Sequence, residues 1–424
     1  MIEAQTEQNE QASLPNQPGG TFAPFRYPAF RAIWIANLAS NLGSTIQSVG
    51  AAWMMTELGT SHQMIALVQS SATLPIMLLG VFAGAIADNF DRRRVMLAAQ
   101  TGMLLVSAVL ALLAWRNMIS PYLLLALTLL VGLGTSLNSP AWQASVRQQV
   151  GLNDLPQAIT LNSMSFNLAR SVGPALGGLL ISLWNVALAF AINAISYIAM
   201  IVVLLRWQPE TTPQLQQRDP MLTAIGVGIR FCATSSPIRR VLIRGLLLGF
   251  GIAGYQALIP IVVRDRLHGD EISFGIMLGL FGIGSIVAAL FIGRVRQRWG
   301  TEAVLAAGAL AFIAAQLLLA RVHTVYQALP APILGGMAWV SLLTSLNVAI
   351  QTRSPERILG RCLSIYQAVT FGGLAVGAWL WGALADWRDV PFALHSAAAF
   401  LLLTTLIGWR FAPMPGSDEG QVEI

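Results

Sequence analysis

Two aspartates and three arginines stand together in the stretch GAIADNFDRRR (84–94), between two runs of about twenty apolar residues. Asp88 follows Gly84 by four residues and precedes Arg92 by four. A carboxylate so placed can do electrostatic work: it can pair with Arg92 or Arg93 through charge-assisted hydrogen bonds, or meet the positive N-terminal end of another helix. Gly80 and Gly84, four residues apart, form a small-residue face that lets a neighbouring helix approach closely. Such a contact is made in one arrangement of the helices and lost in another, so the spacing predicts a latch. Arginines beside a membrane run are also a topology signal, and the cluster is open to that plainer reading.

Other chemistries are poorly supplied. All 25 basic residues are arginine, which leaves no Walker A lysine and no Schiff-base lysine. The two cysteines, Cys232 and Cys362, lack C-x-x-C spacing, so neither a disulfide nor a metal site is implied. His62, His268, His323 and His395 are scattered, with no nucleophile–base pair or ligand cluster around them. The expectation is a protein that is not an enzyme and has no catalytic residue, metal or cofactor. The net charge of +6 is read as loop arginines that orient the chain, not as a nucleic-acid surface.

The elements that must position these residues are membrane helices. Hydrophobic residues make up 55% of the 424 and charged residues only 10%, against roughly 25% charged in soluble domains; mean hydropathy is +0.64. The apolar stretches have the length a helix needs to cross about 30 Å of hydrocarbon. Strand-type alternation is absent, which excludes a barrel. Helices are predicted near 32–56, 64–87, 95–115, 122–145, 156–183 and 185–205, then near 241–263, 274–293, 302–320, 326–350, 362–385 and 391–411. The fold class is therefore an all-α membrane protein of twelve transmembrane helices in two pseudo-symmetric six-helix halves, 25–205 and 241–411. Residues 1–24 and 412–424 are read as cytoplasmic tails, the first disordered. The linker 206–240 holds Pro209, Pro213, Pro220 and Pro237, and its apolar piece MLTAIGVGIRFCA (221–233) is either a surface helix or a linker turn.

With this segmentation 18 arginines fall on the side of the termini, 5 on the other and 2, Arg170 and Arg244, inside spans. The bias predicts that both ends are cytoplasmic, in a multi-pass protein of the bacterial inner membrane. The halves read as weak copies. GAIADNFD (84–91) and GRVRQRWG (293–300) each close the second helix of a half, at the 209-residue offset that also separates Arg31 from Arg240.

Gly84-x-x-x-Asp88-x-x-x-Arg92-Arg93 resembles the loop signature of the major facilitator superfamily. There the aspartate locks the two halves by reaching the start of the eleventh helix, here Leu359-Gly360-Arg361. This chain departs from the signature at Asn89 and at Asp91, the latter adding a second carboxylate that can compete for the arginines. Gly173-Pro174-Ala175-Leu176-Gly177-Gly178 is similar to the superfamily's antiporter signature, associated with export. By physics alone Pro174 frees a carbonyl and bends the helix, which a purely structural kink would also need. YPAFRAIWIANLAS (27–40), LNSMSFNLARSVGPALGG (161–178), GVGIRF (226–231) and QTRSPERILGRCLS (351–364) together resemble the enterobactin-exporter-like and macrolide-efflux-like branch of transmembrane secretion effectors. The superfamily's usual fourth-helix arginine is replaced by Thr128.

The resemblance implies a cavity lined by the first and fourth helices of each half. Asn37, Asn41, Ser44 and Ser48 repeat along one face of the first helix, either toward that cavity or toward helix–helix hydrogen bonds. Thr135, Asn138, Ser139 and Trp142 are the candidates in the fourth helix, Tyr255 and Gln256 in the seventh, and Ser341, Thr344, Ser345 and Asn347 in the tenth. Amides, hydroxyls and rings suit an amphipathic organic molecule. No carboxylate is placed at mid-membrane, so the proton coupling expected of such an exporter has no obvious site. Arg170, one turn before the Gly-Pro pair, and Arg244 either face the cavity, pair with helix carbonyls, or snorkel to the inner surface. The expected function is secondary active export of a drug-like or siderophore-like small molecule by a monomer among membrane lipids, with import by a symporter of the same fold as the alternative.

Overall fold

The computed structural model describes residues 22–151, 154–208, 221–355, 358–411 and 413–414, apart from a few helical side chains, that of Asp88 among them. Twelve helices concern us: α1 Pro28–Glu57, α2 His62–Asn89, α3 Arg92–Trp115, α4 Pro121–Ser145, α5 Leu155–Leu183, α6 Val186–Arg206, α7 Met221–Thr234, α8 Ser236–Ile261, α9 Glu271–Leu319, α10 Pro330–Arg353, α11 Leu359–Trp387 and α12 Val390–Phe411. Ten of them are long and apolar enough to cross a membrane. In α9, 49 residues would make a rod of about 73 Å, more than twice the hydrocarbon thickness. The helix breaks at Gly300 (φ 81°, ψ 166°), so its two limbs are two crossings. α1 is long enough to cross as well, its hydropathy diluted by its polar residues, and it brings the crossings to the twelve expected.

Local signals explain where helices start. Ser61, Asp91, Ser120, Asn185 and Asp270 cap α2, α3, α4, α6 and α9, each accepting a first-turn backbone N–H. Pro28, Pro121 and Pro330 open α1, α4 and α10 where no N–H is needed. The apolar linker piece is a helix, α7, packed on α2, α8 and α11. It brings Cys232 beside Cys362 of α11; both are free and buried, and the hydrogen bond between them pushes the Cys232 thiol up. Phe22 to Pro24, placed with the tail from sequence, are ordered: Phe22 stacks on Phe25, and Phe25 meets Trp34 edge-on.

The packing repeats between halves. α1 packs on α5 and α6, as α8 packs on α11 and α12; α2 packs on α4, as α9 packs on α10. The halves meet along two matching seams, α2 with α11 and α5 with α9. Crossings alternate, so Pro28, Phe411 and the arginine-rich loops share one face, the terminal face, and the loops at residues 58–61, 267–270 and 388–389 share the far face. Exposed aromatics mark both levels: Trp115, Tyr122, Trp184, Tyr326 and Trp387 at the far face, Trp299, Trp409 and Phe411 at the terminal face. Such belts sit at the headgroups of a bilayer.

Gly300 is in a region of backbone space that only glycine occupies readily, and a Cβ there would touch nothing. Gly300→Ala is therefore expected to cost about 1–3 kcal/mol through backbone strain alone, read as a lowered unfolding midpoint in detergent. Gly293→Ala, at a helical glycine with equally open surroundings, should not lower it.

Candidate functional site

The six-residue motif of α5 does two jobs. Gly173 and Gly177 turn toward α1: a Cβ on Gly173 would run into Thr45 Oγ1, and one on Gly177 would lie 3.2 Å from Val49 Cβ. Gly178 turns the other way, toward α9 in the second half, where a Cβ would come within 2.7 Å of Gly275 Cα. Both residues are glycine, so the two backbones touch at the far end of the α5–α9 seam. The α2–α11 seam is built alike. A Cβ on Gly382 would meet Ala66 Cβ at 2.6 Å, Ser70 Oγ donates to the Ala375 carbonyl at 2.7 Å, and Gly84 faces Ser364 Oγ at 3.3 Å. Gly84 thus presents its open side to α11.

The cluster at the end of α2 is resolved in part. Arg92 donates to the Ala144 carbonyl of α4 at 2.8 Å; Arg93 donates to the Leu204 and Leu205 carbonyls of α6 at 2.7 and 2.8 Å. Both guanidinium groups satisfy last-turn carbonyls and complement a helix C-terminus. Asp91, the added carboxylate, caps α3 through the Arg93 N–H at 2.9 Å and pairs with Arg94 at 3.6 Å. The proposed latch residue, Asp88, has its side chain outside the described residues.

Arg170 lies near the middle of the 29-residue α5. Its guanidinium reaches across to the second half, 4.7 Å from the ring centroid of Trp339 on α10 and 5.8 Å from that of Phe281 on α9. It does not snorkel, and among the described residues it pairs with no carbonyl. A central arginine costs about 2.5–3.5 kcal/mol on insertion scales, and a cation–π contact returns about 0.5–2, so the rings offset much of that cost while leaving the N–H donors unbonded. Arg244 is resolved differently: it forms an ion pair with Glu302 inside the second half, one nitrogen donating at 3.0 Å and the other 2.8 Å from the second carboxylate oxygen, with Gly408 packed on its guanidinium.

The polar candidates divide. Tyr255 joins the Arg170 cluster, its ring 6.0 Å from Phe281. Gln256 faces Gln69 of the first half at 3.4 Å. Ser345 and Asn37 are buried, each with a polar atom that has no partner; Ser48 is exposed, Asn41 and Trp142 half-buried. Two others bond within a half, Ser44 to Tyr197 at 3.3 Å and Asn138 to Gln100 at 3.4 Å, and Ser341 bonds the carbonyl one turn back.

Sequence reasoning missed a clasp at the far face. Asp386, at the end of α11, accepts the backbone N–H groups of His62 and Gln63, at 2.6 and 2.9 Å. A carboxylate of one half thereby caps the first turn of a helix in the other. The His62 ring lies between carboxylates of the second half, 3.1 Å from Asp265 and 3.5 Å from Asp386. Also at the far face, Trp53 stacks on Phe274 at 5.8 Å, again across the halves. Residues 324 positions apart leave no local trace of such a contact.

Removing the clasp carboxylate should loosen the far face. Asp386→Ala is expected to remove about 1.5–3 kcal/mol of charge-assisted bonding, a tenfold or larger shift toward opening at that face. The check is a cysteine at Ala66, now buried against Gly382: its labelling by a membrane-impermeant maleimide should accelerate at least tenfold in the Asp386→Ala background.

The geometry has counterparts among known proteins. Residues 19–423 match the family described as transmembrane secretion effector. The chain is 27% identical over 262 residues to the staphyloferrin A transporter of Staphylococcus aureus (strain NCTC 8325 / PS 47), a match covering 61% of this chain and 65% of that protein. It is 28% identical over 391 residues to the enterobactin exporter EntS of Escherichia coli O1:K1 / APEC, covering 89% and 90%. Among solved structures, a POT family transporter in complex with 5-aminolevulinic acid superposes with a TM-score of 0.75 at 14% identity, covering 94% of this chain and 98% of that one. The nucleoside transporter NupG superposes at 0.71, also at 14% identity, covering 90% and 98%. With twelve crossings, two matching seams and a family match along nearly its whole length, the chain belongs to the transmembrane secretion effector family of major facilitator transporters.

Proposed function

We propose that this transporter exports an amphipathic small molecule, of siderophore or drug type, from the cytoplasm by alternating access, in exchange for protons. The observation that carries the reading is the build of the inter-half seams: glycines in backbone contact and a few polar bonds at the far face, which leave few bonds to break when the halves part. The terminal face is assigned to the cytoplasm by the arginine bias of 18 to 5. Export is favoured by the exporter among the relatives and by the Gly-Pro motif of α5. In this reading Asp88 latches the terminal face when the far face opens, and the chain works as a monomer in the inner membrane.

Reporters fused after Arg94, Leu215 and Ile424 should read cytoplasmic, and one after Asp270 external. Cells lacking the protein should accumulate more of a fluorescent or siderophore substrate, a protonophore should abolish the difference, and Gly173→Leu, which drives a side chain into Thr45, should reproduce the deletion while still inserting. If deletion instead lowers uptake of a nutrient, the protein is an importer. Asp88→Asn should remove a contact of about 1.5–3 kcal/mol and cut transport sharply with normal membrane levels; unchanged transport would reduce the cluster to a topology signal.

A further inference from the structure

The geometry points to Arg170 as the subsite for an anionic group on the transported molecule, one carried on a flat aromatic frame. This rests on the reading of the chain as a small-molecule transporter and names the class of its substrate. Arg170 is set in the middle of α5, at the boundary between the halves, and has no carboxylate or hydrogen-bond partner among the described residues. What holds it is the pair of rings, Trp339 and Phe281, both from the other half. A guanidinium over a ring is stabilised through its charge and does not spend its N–H donors, which keep the fork that matches a carboxylate or an ionised phenol. The charge is stabilised and its donors are left unused.

Two features of the surroundings select the rest of the ligand. The first is aromatic continuity: Trp339 lies 6.4 Å from Phe281, Phe281 6.0 Å from Tyr255, and Tyr255 5.8 Å from Phe312, a wall of rings across α8, α9 and α10. The second is an unused donor in that wall, the Tyr255 hydroxyl, buried with no partner on a residue 1% exposed. No acidic side chain within the described spans competes for Arg170. A flat organic anion would supply the charge that the fork leaves unmatched and, once the halves part, a ring to stack where α5 now covers Trp339 and Phe281, which are 5% and 7% exposed. A cationic or neutral drug would leave the guanidinium as it found it.

The location gives the subsite a part in the cycle. About 12 Å along α5 from Arg170, by helical rise, Gly178 touches Gly275 at the far end of the same seam. An anion at Arg170 and its partner rings bridges α5 to α9 and α10, so it engages both halves and favours the arrangement in which they are close at this depth.

The test uses the full-length protein in nanodiscs and two isosteric probes, 2-naphthoate and the neutral 2-naphthamide, with calorimetry as the readout. Wild type is expected to bind naphthoate at least tenfold more tightly than naphthamide, the loss typical of a charge-assisted bond. Arg170→Gln should bring naphthoate down to the naphthamide affinity and leave naphthamide unchanged, a charge discrimination that a merely structural arginine would not govern. Arg170→Lys, which keeps the charge but not the fork, should fall between, and stands in should the glutamine variant fail to fold. Trp339→Leu should weaken both probes. Equal affinity for the two probes, no binding of naphthoate, or a preference for naphthoate that survives Arg170→Gln overturns the proposal. Binding is independent of transport direction, so this failure leaves the export reading standing, and an importer phenotype in cells leaves the subsite standing.

Discussion

A polar group in hydrocarbon has no water to fall back on, and the cost of leaving it unsatisfied organises this molecule. The backbone meets the requirement by being helical. Helix ends meet it with side chains: Ser61, Asp91, Ser120, Asn185 and Asp270 at N-termini, Arg92 and Arg93 at the last carbonyls of α4 and α6. Arg244 meets it with Glu302. At Arg170 the charged group lies between the halves and meets the requirement through two rings of the second half.

The same solvent removes the hydrophobic drive for one apolar helix to stick to another, so association depends on close packing and a few hydrogen bonds. The seams show this directly. Gly178 against Gly275 and Gly382 against Ala66 bring backbones together at the far face, and Ser70 adds one hydrogen bond along α2–α11. The Asp386 clasp adds charge to the N-terminus of α2. None of these contacts is large, which suits the opening and closing proposed for this interface.

Duplication repeated the scaffold and left its electrostatics free to diverge. At the turn between second and third crossings the first half places Asp91, which caps α3, and the second half places Gly300, whose positive φ breaks α9. Two residues further on stand Arg93 in one half and Glu302 in the other. Arg93 reaches helix carbonyls, and Glu302 takes Arg244 and the backbone N–H of Met414. The geometry of the turn is common to both halves, and the charge that stabilises it has opposite sign.

Composition and spacing were sufficient to read the membrane, the helix number and nearly all helix limits, because hydropathy and turn residues act within a window of about twenty residues and the bilayer fixes the length of each crossing. The small-residue positions Gly84, Gly173, Gly177 and Gly178 were legible for the same reason, since close packing in lipid demands small residues at helical spacing. The partners of those positions were not. Thr45 for Gly173, Gly275 for Gly178, Trp339 and Phe281 for Arg170, Glu302 for Arg244 and Asp386 for His62 lie 58 to 324 residues away or on another helix. Ser44 and Asn138, alike in the sequence to their neighbours on the same helices, bond inside the first half. Which face of a helix meets which neighbour depends on the rotation and tilt of whole helices, set by packing summed over the bundle, so the tertiary structure alone decided which polar residues bond within the fold and which, such as Asn37, Tyr255 and Ser345, keep an unpartnered atom.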